Sequence, residues 1–314
     1  MSTKRKNSQD LGSESKNLKT SPEVFNMLDH FRMSSWLYLT SCPKTNEKKA
    51  PYICELSIFN RQAHDSIVKV VAEFIGRYLD RPNVEIEAKL GLLIDKNTHS
   101  RLHLPIMTEA AITQDRFIRF QSDMSQAQHQ HFNQMLNTRV NETNSAGYKG
   151  KRISYKHLYE KDTFYVAKGG KIRVTCDSRT DEIKEDGIVQ KTRLDSMDIY
   201  SPLNNLDFRI SINDEVPMEL PTGKPMHVRI KDRLSYEHDL WRVDLTQVKT
   251  QGTGPQSNGN SSGMTHELEI EVSNLEVLRN EHNLMKQGKA NQYLHFIHCF
   301  LNNVRLLAQY SKKH

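Results

Sequence analysis

The chain has 314 residues, of which 36% are hydrophobic and 26% are charged, and its formal net charge is +6. This length allows one large domain or two small ones. The first 22 residues carry five basic and two acidic side chains, which leaves a net charge of only +3 for the rest of the chain. Such a small excess does not support a basic face that wraps duplex nucleic acid, but it fits local patches that attract phosphate.

The cysteines and the apolar runs indicate the cellular environment. Cys42, Cys54, Cys176 and Cys299 form no CxxC pair, which argues against a zinc cluster. They are too few for a small secreted domain held by disulfides, so we expect a reducing, intracellular compartment. No apolar run approaches the roughly 20 residues that span a bilayer, and we expect no membrane partner.

The N-terminal segment is polar and offers little to bury. Residues 1–45 are predicted to form a disordered or loosely ordered tail, because their first part is dominated by Ser, Lys, Asn and Asp. Within this tail Ser21 and Pro22 are typical of a helix start, and a short helix is predicted to about Phe31. Residues 46–314 are predicted to form the single remaining domain.

This domain combines helices with many short strands. Short alternating runs broken by Gly, Asn, Asp and Pro predict antiparallel strands over 154–248. The Gly- and Ser-rich segment 250–264 is predicted to be a flexible loop, and one more strand follows it. We therefore expect a mainly β domain with helices packed on its outside. Apolar residues at helical spacing predict helices at 61–79, 108–120, 125–136, 274–286 and 290–309.

Two segments, 84–90 and 267–272, alternate charged and aliphatic residues. Strict alternation places the charged side chains on one face of a strand and the aliphatic ones on the other. Carboxylates repeated along one face lie about 7 Å apart and repel one another, so two such strands need compensating positive charge. The aligned acidic residues are Glu85 and Glu87 in the first segment and Glu267, Glu269 and Glu271 in the second.

A divalent cation with hard oxygen ligands can supply that compensation. Because no Cys or His cluster lies nearby, Mg²⁺ or Mn²⁺ fits better than zinc. The alternative interpretation is that each segment is a half-buried strand whose charged face is solvated.

Other strands carry basic and polar residues on a single face. If the strands close into a barrel with these faces inward, carboxylates in the lumen can hold a metal while Lys and Arg hold the oxygens of a polyphosphate. The alternative is a β-sandwich with an aliphatic core and scattered surface ion pairs. The aligned sets are Lys171 and Arg173, then Ser211, Asn213 and Glu215, then Arg229, Lys231 and Arg233, and finally Arg242, Asp244 and Thr246.

Several of these motifs match a known family. The strand 84–91, Val-Glu-Ile-Glu-Ala-Lys-Leu-Gly, and the strand 265–272, Thr-His-Glu-Leu-Glu-Ile-Glu-Val, resemble the first and last hallmarks of the fungal, metal-dependent RNA 5′-triphosphatases of mRNA capping. These enzymes are triphosphate tunnel metalloenzymes. Segments 229–236 and 242–248 resemble the fungal branch in particular, and the order of the motifs holds across residues 55–310.

This resemblance implies a closed, eight-stranded antiparallel β-barrel tunnel that removes the γ-phosphate from triphosphate-ended nascent mRNA, with Mg²⁺ or Mn²⁺ as cofactor. The residues that fall at metal-ligand positions are Glu85, Glu87 and Glu271. Those at γ-phosphate positions are Arg173, Lys231 and Arg233, and Lys191 falls at another tunnel-lysine position. Glu215 falls where a carboxylate orients or deprotonates the attacking water. The residues at supporting positions are Asp244, Glu267 and Glu269.

The resemblance also implies partners and a compartment. Members of the family tend to dimerise, so we expect a homodimer in the nucleus. The recruiting partner is expected to be the mRNA guanylyltransferase, the C-terminal tail of RNA polymerase II, or both, and no clear counterpart of a Trp-containing docking segment is present. Gln247 stands where relatives can have Lys, which puts substrate contacts at that point in doubt.

Two other functions stay open at this point. A tunnel hydrolase acting mainly on inorganic tripolyphosphate or nucleoside triphosphates would share the glutamate strands. A non-catalytic phosphate- or RNA-binding module on the same barrel would not need Glu215. His129 and His131, in a Gln-rich helix, are interpreted as surface residues. His295, His298 and Cys299 are interpreted as part of an amphipathic helix that packs beneath the barrel.

Overall fold

The computed structural model describes residues 55, 57–60, 63, 65–113, 115–252 and 263–311. The chain divides into two units, Met1–Gln62 and Ala63–His314, and all elements named below belong to the second unit. The predicted tail 1–45 and its helix lie outside the described residues. Within the described part, no helix is both long and apolar enough to cross a membrane.

Ten strands and four helices are assigned among the described residues. The strands are β1 (Val84–Asp95), β2 (Ala110–Ile112), β3 (Ile118–Gln121), β4 (Ser154–Ala167), β5 (Gly170–Asp177), β6 (Ile183–Tyr200), β7 (Asp207–Pro217), β8 (His227–His238), β9 (Trp241–Gly252) and β10 (Thr265–Val272). The helices are α1 (Ser66–Gly76), α2 (Gln126–Asn144), α3 (Leu275–Lys286) and α4 (Tyr293–Tyr310).

Eight of the strands close into an antiparallel barrel. Their order is β10-β9-β8-β4-β5-β6-β7-β1, and pairing of β1 with β10 closes the ring. The two short strands lie outside this ring, because β2 pairs with β6 and β3 pairs with β1. The predicted closed eight-stranded barrel is confirmed, and the sandwich alternative is wrong.

The aliphatic faces of the strands point outward and are covered by helices. Ile86 on β1 and Ile270 on β10 are almost fully buried, and they share a hydrophobic cluster with Ile297, Phe300 and Val304 of α4. Helix α4 packs against β1, β7 and β10. The main hydrophobic core therefore lies between the barrel and its helices, which leaves the charged strand faces for the lumen.

Most predicted elements are confirmed, with shifted ends. Helix α1 begins at Ser66 rather than at 61, because the carboxylate of Asp65 caps it by accepting the Ile67 N–H at 2.8 Å. Helix α2 extends past the predicted 136 to Asn144. Strand β9 reaches Gly252, three residues into the predicted loop 250–264, and β10 starts at Thr265, directly after its predicted end. Residues 253–262 lie outside the described residues.

The helix predicted at 108–120 is wrong. This segment contains the two short strands β2 and β3, which add to the edges of β6 and β1 beyond the barrel. Gly91 permits part of this addition: a Cβ atom there would lie 2.1 Å from the backbone oxygen of Gln121. Apolar spacing alone favoured a helix, but pairing with exposed strand edges determines the conformation.

Candidate active site

The barrel encloses a cavity of about 560 Å³ that is lined by the charged strand faces. Nine basic and eight acidic residues line it, so the lumen is close to neutral. The acidic residues are Glu85, Glu87, Glu160, Asp162, Glu215, Glu267, Glu269 and Glu271. The basic residues are Lys89, Lys171, Arg173, Lys191, Arg193, Arg229, Lys231, Arg233 and Arg242. Every predicted site residue lines the cavity except Asp244, which is buried in its wall.

Three carboxylates lie on neighbouring strands where β1 meets β10. Glu87 lies directly opposite Glu271 in the strand register, and Glu85 is two residues away on the same face of β1. Asn213 on β7 donates its amide N–H to Glu85 Oε2 at 2.8 Å and to Glu87 Oε1 at 3.2 Å. Burial, opposed by Arg242 but reinforced by the charge of Glu85, raises the pKa of Glu271 to about 8. Burial therefore works against the ionised form of Glu271, which lies beside the other two carboxylates.

Lys191 on β6 lies among the carboxylates. Its Nζ forms an ion pair with Glu85 and lies 3.6 Å from Glu87 Oε2 and 3.3 Å from Glu215 Oε1. Arg173 on β5 contacts the same Glu215 oxygen at 3.3 Å. Two cations thus stabilise the Glu215 carboxylate and fix its position on the lumen wall. The Nε of Arg173 is buried and has no hydrogen-bond partner within the described residues.

A second buried group surrounds Lys231 on β8. Lys231 forms an ion pair with Asp162 on β4, which is fully buried and accepts a hydrogen bond from Thr175 Oγ1 at 2.8 Å. Burial lowers the pKa of Lys231, and the charges of Arg233 and Arg173 add to this effect while Asp162 opposes it. Burial alone would raise the pKa of Asp162, but the Lys231 ammonium outweighs it, so the pKa of Asp162 is lowered.

Asp244 on β9 positions two guanidinium groups. Its Oδ2 accepts hydrogen bonds from Arg233 Nη1 at 2.9 Å and from Arg242 Nε at 3.2 Å, while Oδ1 accepts one from Ser235 Oγ at 2.6 Å. Arg233 also lies 3.4 Å from Glu160 Oε2. These contacts hold the planar guanidinium of Arg233 at a defined point of the lumen, which is the arrangement that bidentate phosphate binding requires.

The remaining acidic residues of β10 hold basic residues in place. Glu269 contacts Lys89 Nζ at 2.7 Å, and Glu267 accepts a hydrogen bond from Arg229 Nη2 at 2.8 Å. Burial alone would raise the pKa of Glu269, but the charges of Lys89 and Arg233 outweigh it, so that the pKa is lowered well below its usual range. The positions fit the supporting roles predicted for Glu267 and Glu269.

The carboxylates of Glu85, Glu87 and Glu271 fit a hard divalent cation by their chemistry and their placement. All three are oxygen donors, and they lie on two adjacent strands. In the part of the chain that the structure describes, no three His, Cys, Asp or Glu side chains lie close enough to hold an ion as they stand. Lys191 and Arg242 contact these carboxylates instead, so cation binding requires these side chains to move.

Sequence reasoning missed several residues of the site. Glu160 and Asp162 on β4 hold Arg233 and Lys231, and Asn213 orients two glutamates. The alternation Glu160-Lys161-Asp162 was a usable signal on the same principle as the other acidic strands. Asn213 was predicted on the polar face of its strand with Glu215, but its hydrogen bonds to Glu85 and Glu87 could not be predicted, because they depend on its lying opposite Glu85 across β7 and β1.

The structure places Gln247, for which the sequence left substrate contacts in doubt, and it shows that the prediction of His129 as a surface residue is wrong. Gln247 does not face the lumen, because Thr246 does, and its Nε2 lies 3.3 Å from His129 Nε2 of α2. Gln247 therefore lies outside the set of residues that line the lumen. His129 is not a surface residue: it is 3% exposed and packs with its ring 4.8 Å from that of His266.

The comparisons with known proteins agree with this geometry. The profile of the family described as mRNA capping enzyme, beta chain, matches residues 61–313. The mRNA-capping enzyme subunit beta of Schizosaccharomyces pombe is 33% identical over 274 residues, which cover 84% of this chain and 87% of that protein.

Solved structures from the same yeast share the fold. The RNA triphosphatase Pct1 of S. pombe superposes with a TM-score of 0.75 at 31% identity, over 84% of this chain and 100% of that one. A structure of Pct1 in complex with the Spt5 CTD gives a TM-score of 0.75 at 31% identity, over 83% and 100% of the two chains. The chain therefore belongs to the family of mRNA capping enzyme beta chains, and its fold is the triphosphate tunnel.

Proposed function

We propose that the chain removes the γ-phosphate from triphosphate-ended nascent mRNA, which is the first step of cap formation. The observation that carries the proposal is the enclosed tunnel of about 560 Å³, whose walls bring carboxylates and cations together around one small space. Phosphoryl transfer depends on positioning and on charge stabilisation more than on covalent help, and this lumen supplies both. Membership in a capping-enzyme family favours RNA over inorganic tripolyphosphate or free nucleotides as the substrate.

Arg173, Lys231 and Arg233 bind the γ-phosphate in this proposal. All three are held by acidic residues of neighbouring strands, so their positions are set before the substrate arrives. The partnerless, buried Nε of Arg173 is a donor that an incoming phosphate oxygen would satisfy. Fixed cations of this kind stabilise negative charge that develops on the transferring phosphoryl group without reorganisation.

Glu215 positions the attacking water. Its carboxylate lies on the lumen wall between Arg173 and Lys191, within 3.3 Å of both. A carboxylate fixed at both sides can accept a hydrogen bond from a water molecule and hold it beside the phosphate that the same two cations attract. Lys191 thus connects the water-positioning carboxylate to Glu85 and Glu87.

Glu85, Glu87 and Glu271 hold Mg²⁺ or Mn²⁺ in this proposal. Nine basic and eight acidic residues line the lumen, so their charges nearly cancel. The lumen therefore cannot by itself offset the negative charge of a polyanionic substrate, which supports a bound metal ion. A divalent cation would supply the missing positive charge and polarise the γ-phosphate. Asp244, Glu267 and Glu269 keep the basic residues oriented while the substrate is bound.

The test is γ-phosphate release from triphosphate-ended RNA with Mg²⁺, with Mn²⁺ and with chelator. We expect metal-dependent release by the wild-type protein and loss of release in Glu87→Ala and Glu215→Ala. Glu142→Ala is the matched control, because it removes an exposed carboxylate of helix α2 that does not line the lumen. This variant should retain full activity. Turnover that survives in Glu87→Ala would refute the assignment of the metal strand.

Competition separates the two catalytic alternatives. Inorganic tripolyphosphate and nucleoside triphosphates are added to the RNA reaction at equal concentration. Preference for RNA supports the capping role, whereas preference for tripolyphosphate would assign the chain to the other tunnel hydrolases. Absence of release from every substrate would leave the non-catalytic binding module.

We further propose that the chain acts in the nucleus as a homodimer. The mRNA guanylyltransferase, the C-terminal tail of RNA polymerase II, or both would recruit it. The complex of Pct1 with the Spt5 CTD supports recruitment through a transcription-associated tail. Light scattering at several concentrations tests the dimer, and binding of labelled tail peptides and of the guanylyltransferase tests recruitment. A monomer that binds neither partner would refute this part of the proposal.

A further inference from the structure

The two mouths of the tunnel differ in their charge pairing. Strand β4 runs from Ser154 at one mouth to Ala167 at the other, where the β4–β5 hairpin turns at Gly169 and Gly170. We call the second opening the hairpin mouth and define it by Phe164, Lys171, Arg193, His227 and Arg229. We call the first the opposite mouth, and a separate cavity of about 230 Å³ lies there.

Each basic residue that lines the opposite mouth already has an acidic partner. Lys156 pairs with Glu237 at 3.9 Å, and Arg233 and Arg242 are both held by Asp244. A polyanion arriving at this mouth would meet the charges of Glu160 and Glu237 and would find no unpaired cation among the lining residues. The opposite mouth is therefore a poor receptor for a chain of phosphates.

The hairpin mouth carries cations without such partners. Lys171 and Arg193 line the lumen cavity and are exposed, and neither forms an ion pair with any described residue. Strands β5 and β6 are antiparallel, and Ile172 lies opposite Gln190. Arg193 therefore lies beyond the first residue of β5, farther toward the hairpin mouth than Lys171. The third cation of the hairpin mouth, Arg229 on β8, forms an ion pair with Glu267.

An aromatic surface lies beside these cations. Phe164 lines the cavity, and one face of its ring stacks on His227 with centroids 4.4 Å apart and an interplanar angle of 10°. Burial lowers the pKa of His227, and the charges of Lys171 and Arg229 add to this effect, which places both cations close to the ring. His227 is therefore neutral at physiological pH and acts as an aromatic support for Phe164 rather than as a further cation.

We propose that RNA reaches the tunnel through the hairpin mouth, where the base of its first nucleotide stacks on Phe164 and the following phosphates bind Lys171 and Arg193. Exposed cations that follow the backbone beside an aromatic platform are the combination by which proteins bind single-stranded RNA without reading its sequence. The γ-phosphate would then lie deeper in the lumen, toward Lys231 and Arg233, which follow His227 by four and six residues along β8. This inference rests on the proposed function and adds to it the direction of the substrate and the residues that distinguish RNA from short polyphosphates.

The first test compares substrates that do and do not extend through the mouth. KM and kcat are measured for a ten-nucleotide triphosphate-ended RNA and for inorganic tripolyphosphate, in Phe164→Leu and in the double variant Lys171→Gln with Arg193→Gln. Phe164→Leu keeps an apolar side chain and should raise the KM for RNA at least about fivefold relative to tripolyphosphate, because it removes stacking on one base. The double variant should reduce the slope of log KM against log salt for RNA by about 1.4, or 0.7 for each lost phosphate contact.

Lys156→Gln is the matched control, because it removes one lysine from the opposite mouth. It should leave the ratio of the RNA and tripolyphosphate KM values at the wild-type level. A shift in this ratio as large as that of the hairpin-mouth variants would overturn the proposal. So would hairpin-mouth variants that affect both substrates equally, since they would then act on the triphosphate alone.

Photo-crosslinking makes the inference separable from the proposed reaction. Triphosphate-ended RNA with 4-thiouridine at its first position is bound to the full chain, irradiated and mapped by mass spectrometry. Crosslinks on the peptides that contain Phe164 or His227 support the proposal even if the wild-type protein releases no phosphate. Crosslinks on the peptide that contains Lys156 would overturn the proposal, and so would crosslinks that do not depend on the position of the label. In either case, phosphate release by the wild-type protein would still establish the triphosphatase activity.

Discussion

Replacement of Asp244 tests whether the lumen charges are held as a connected set. Asp244 is 1% exposed and accepts hydrogen bonds from Arg233, Arg242 and Ser235. Asp244→Ala would leave two partly buried guanidinium groups facing each other without the carboxylate between them. Arg233 would keep only Glu160, at 3.4 Å, and Arg242 would keep Glu271.

The expected loss follows from removing one partner of a buried ionic group. Such a loss costs about 3–5 kcal/mol, and the retained second partners of both arginines place this case near the lower end. In a domain of this size, 1 kcal/mol corresponds to roughly 2–4 °C in Tm, so the variant should melt about 6–12 °C lower. Because Arg233 also loses its fixed orientation in the lumen, kcat for γ-phosphate release should fall by about a hundredfold.

Thermal unfolding and phosphate release are measured on the same preparations of three variants. Ser235→Ala is the matched control, since it removes a single neutral donor to Asp244 and should cost only about 1 kcal/mol. Asp244→Asn keeps the shape and one oxygen acceptor, so its losses should lie between those of the other two. A Tm for Asp244→Ala equal to or above that of Ser235→Ala would refute the idea that Asp244 connects the two arginines.

Two further predictions concern stability away from the lumen. Asp207 is fully buried and accepts hydrogen bonds from Arg101 and from the Leu93 N–H. Asp207→Ala should therefore lower the free energy of unfolding, measured by urea titration, by about 3–5 kcal/mol. Asp207→Asn should lower it by less. Burial and the neighbouring His266 lower the pKa of His129 from 6.5 to about 4, so the unfolded chain binds the extra proton first as the pH falls. The free energy of unfolding should therefore decrease by roughly 3 kcal/mol between pH 6.5 and pH 4, and His129→Gln should flatten this slope; identical slopes in the two proteins would contradict the argument.

The sequence predicted the faces of the strands well, because the period of two fixes which side chains share a face. The alternation put Glu85 with Glu87 on one face of β1 and Lys231 with Arg233 on one face of β8, while the family resemblance implied that these faces point into the barrel. In a closed barrel each strand has only an inside and an outside. Once the barrel is closed, the alternation pattern therefore assigns these residues to the lining of the lumen, although Glu160 and Asp162 were not identified in this way.

Contacts between strands could not be predicted in the same way. The pairing of Lys231 with Asp162 and the double role of Asp244 depend on register and on the stagger of the barrel strands, which no local pattern encodes. The burial of His129 has a similar origin. Helix α2 is polar along most of its length, and only its packing on β9 and β10 brings this one imidazole against His266.

The internal pairing of the lumen charges has a consequence for how substrate and cation bind. Lys191 contacts three carboxylates, Glu85, Glu87 and Glu215, so a phosphate can attract it only in competition with them. A divalent ion on Glu85 and Glu87 would neutralise two of these competitors and free the ammonium for phosphate, which predicts that each ligand raises the affinity of the other by the same factor. Titration calorimetry with Mg²⁺ and a non-hydrolysable imido-triphosphate, each in the absence and presence of the other, measures this factor.

Lys191→Met separates this coupling from simple attraction between the two ligands. The variant removes the cation that competes for the carboxylates, so Mg²⁺ alone should bind it more tightly than it binds the wild-type protein. Triphosphate alone should bind it more weakly, because one phosphate-binding cation is lost. The factor by which each ligand strengthens the other should fall toward the value set by their direct contact. Equal coupling in the two proteins would mean that Lys191 takes no part in it, and weaker Mg²⁺ binding in Lys191→Met would mean that the lysine orders the carboxylates instead of competing for them.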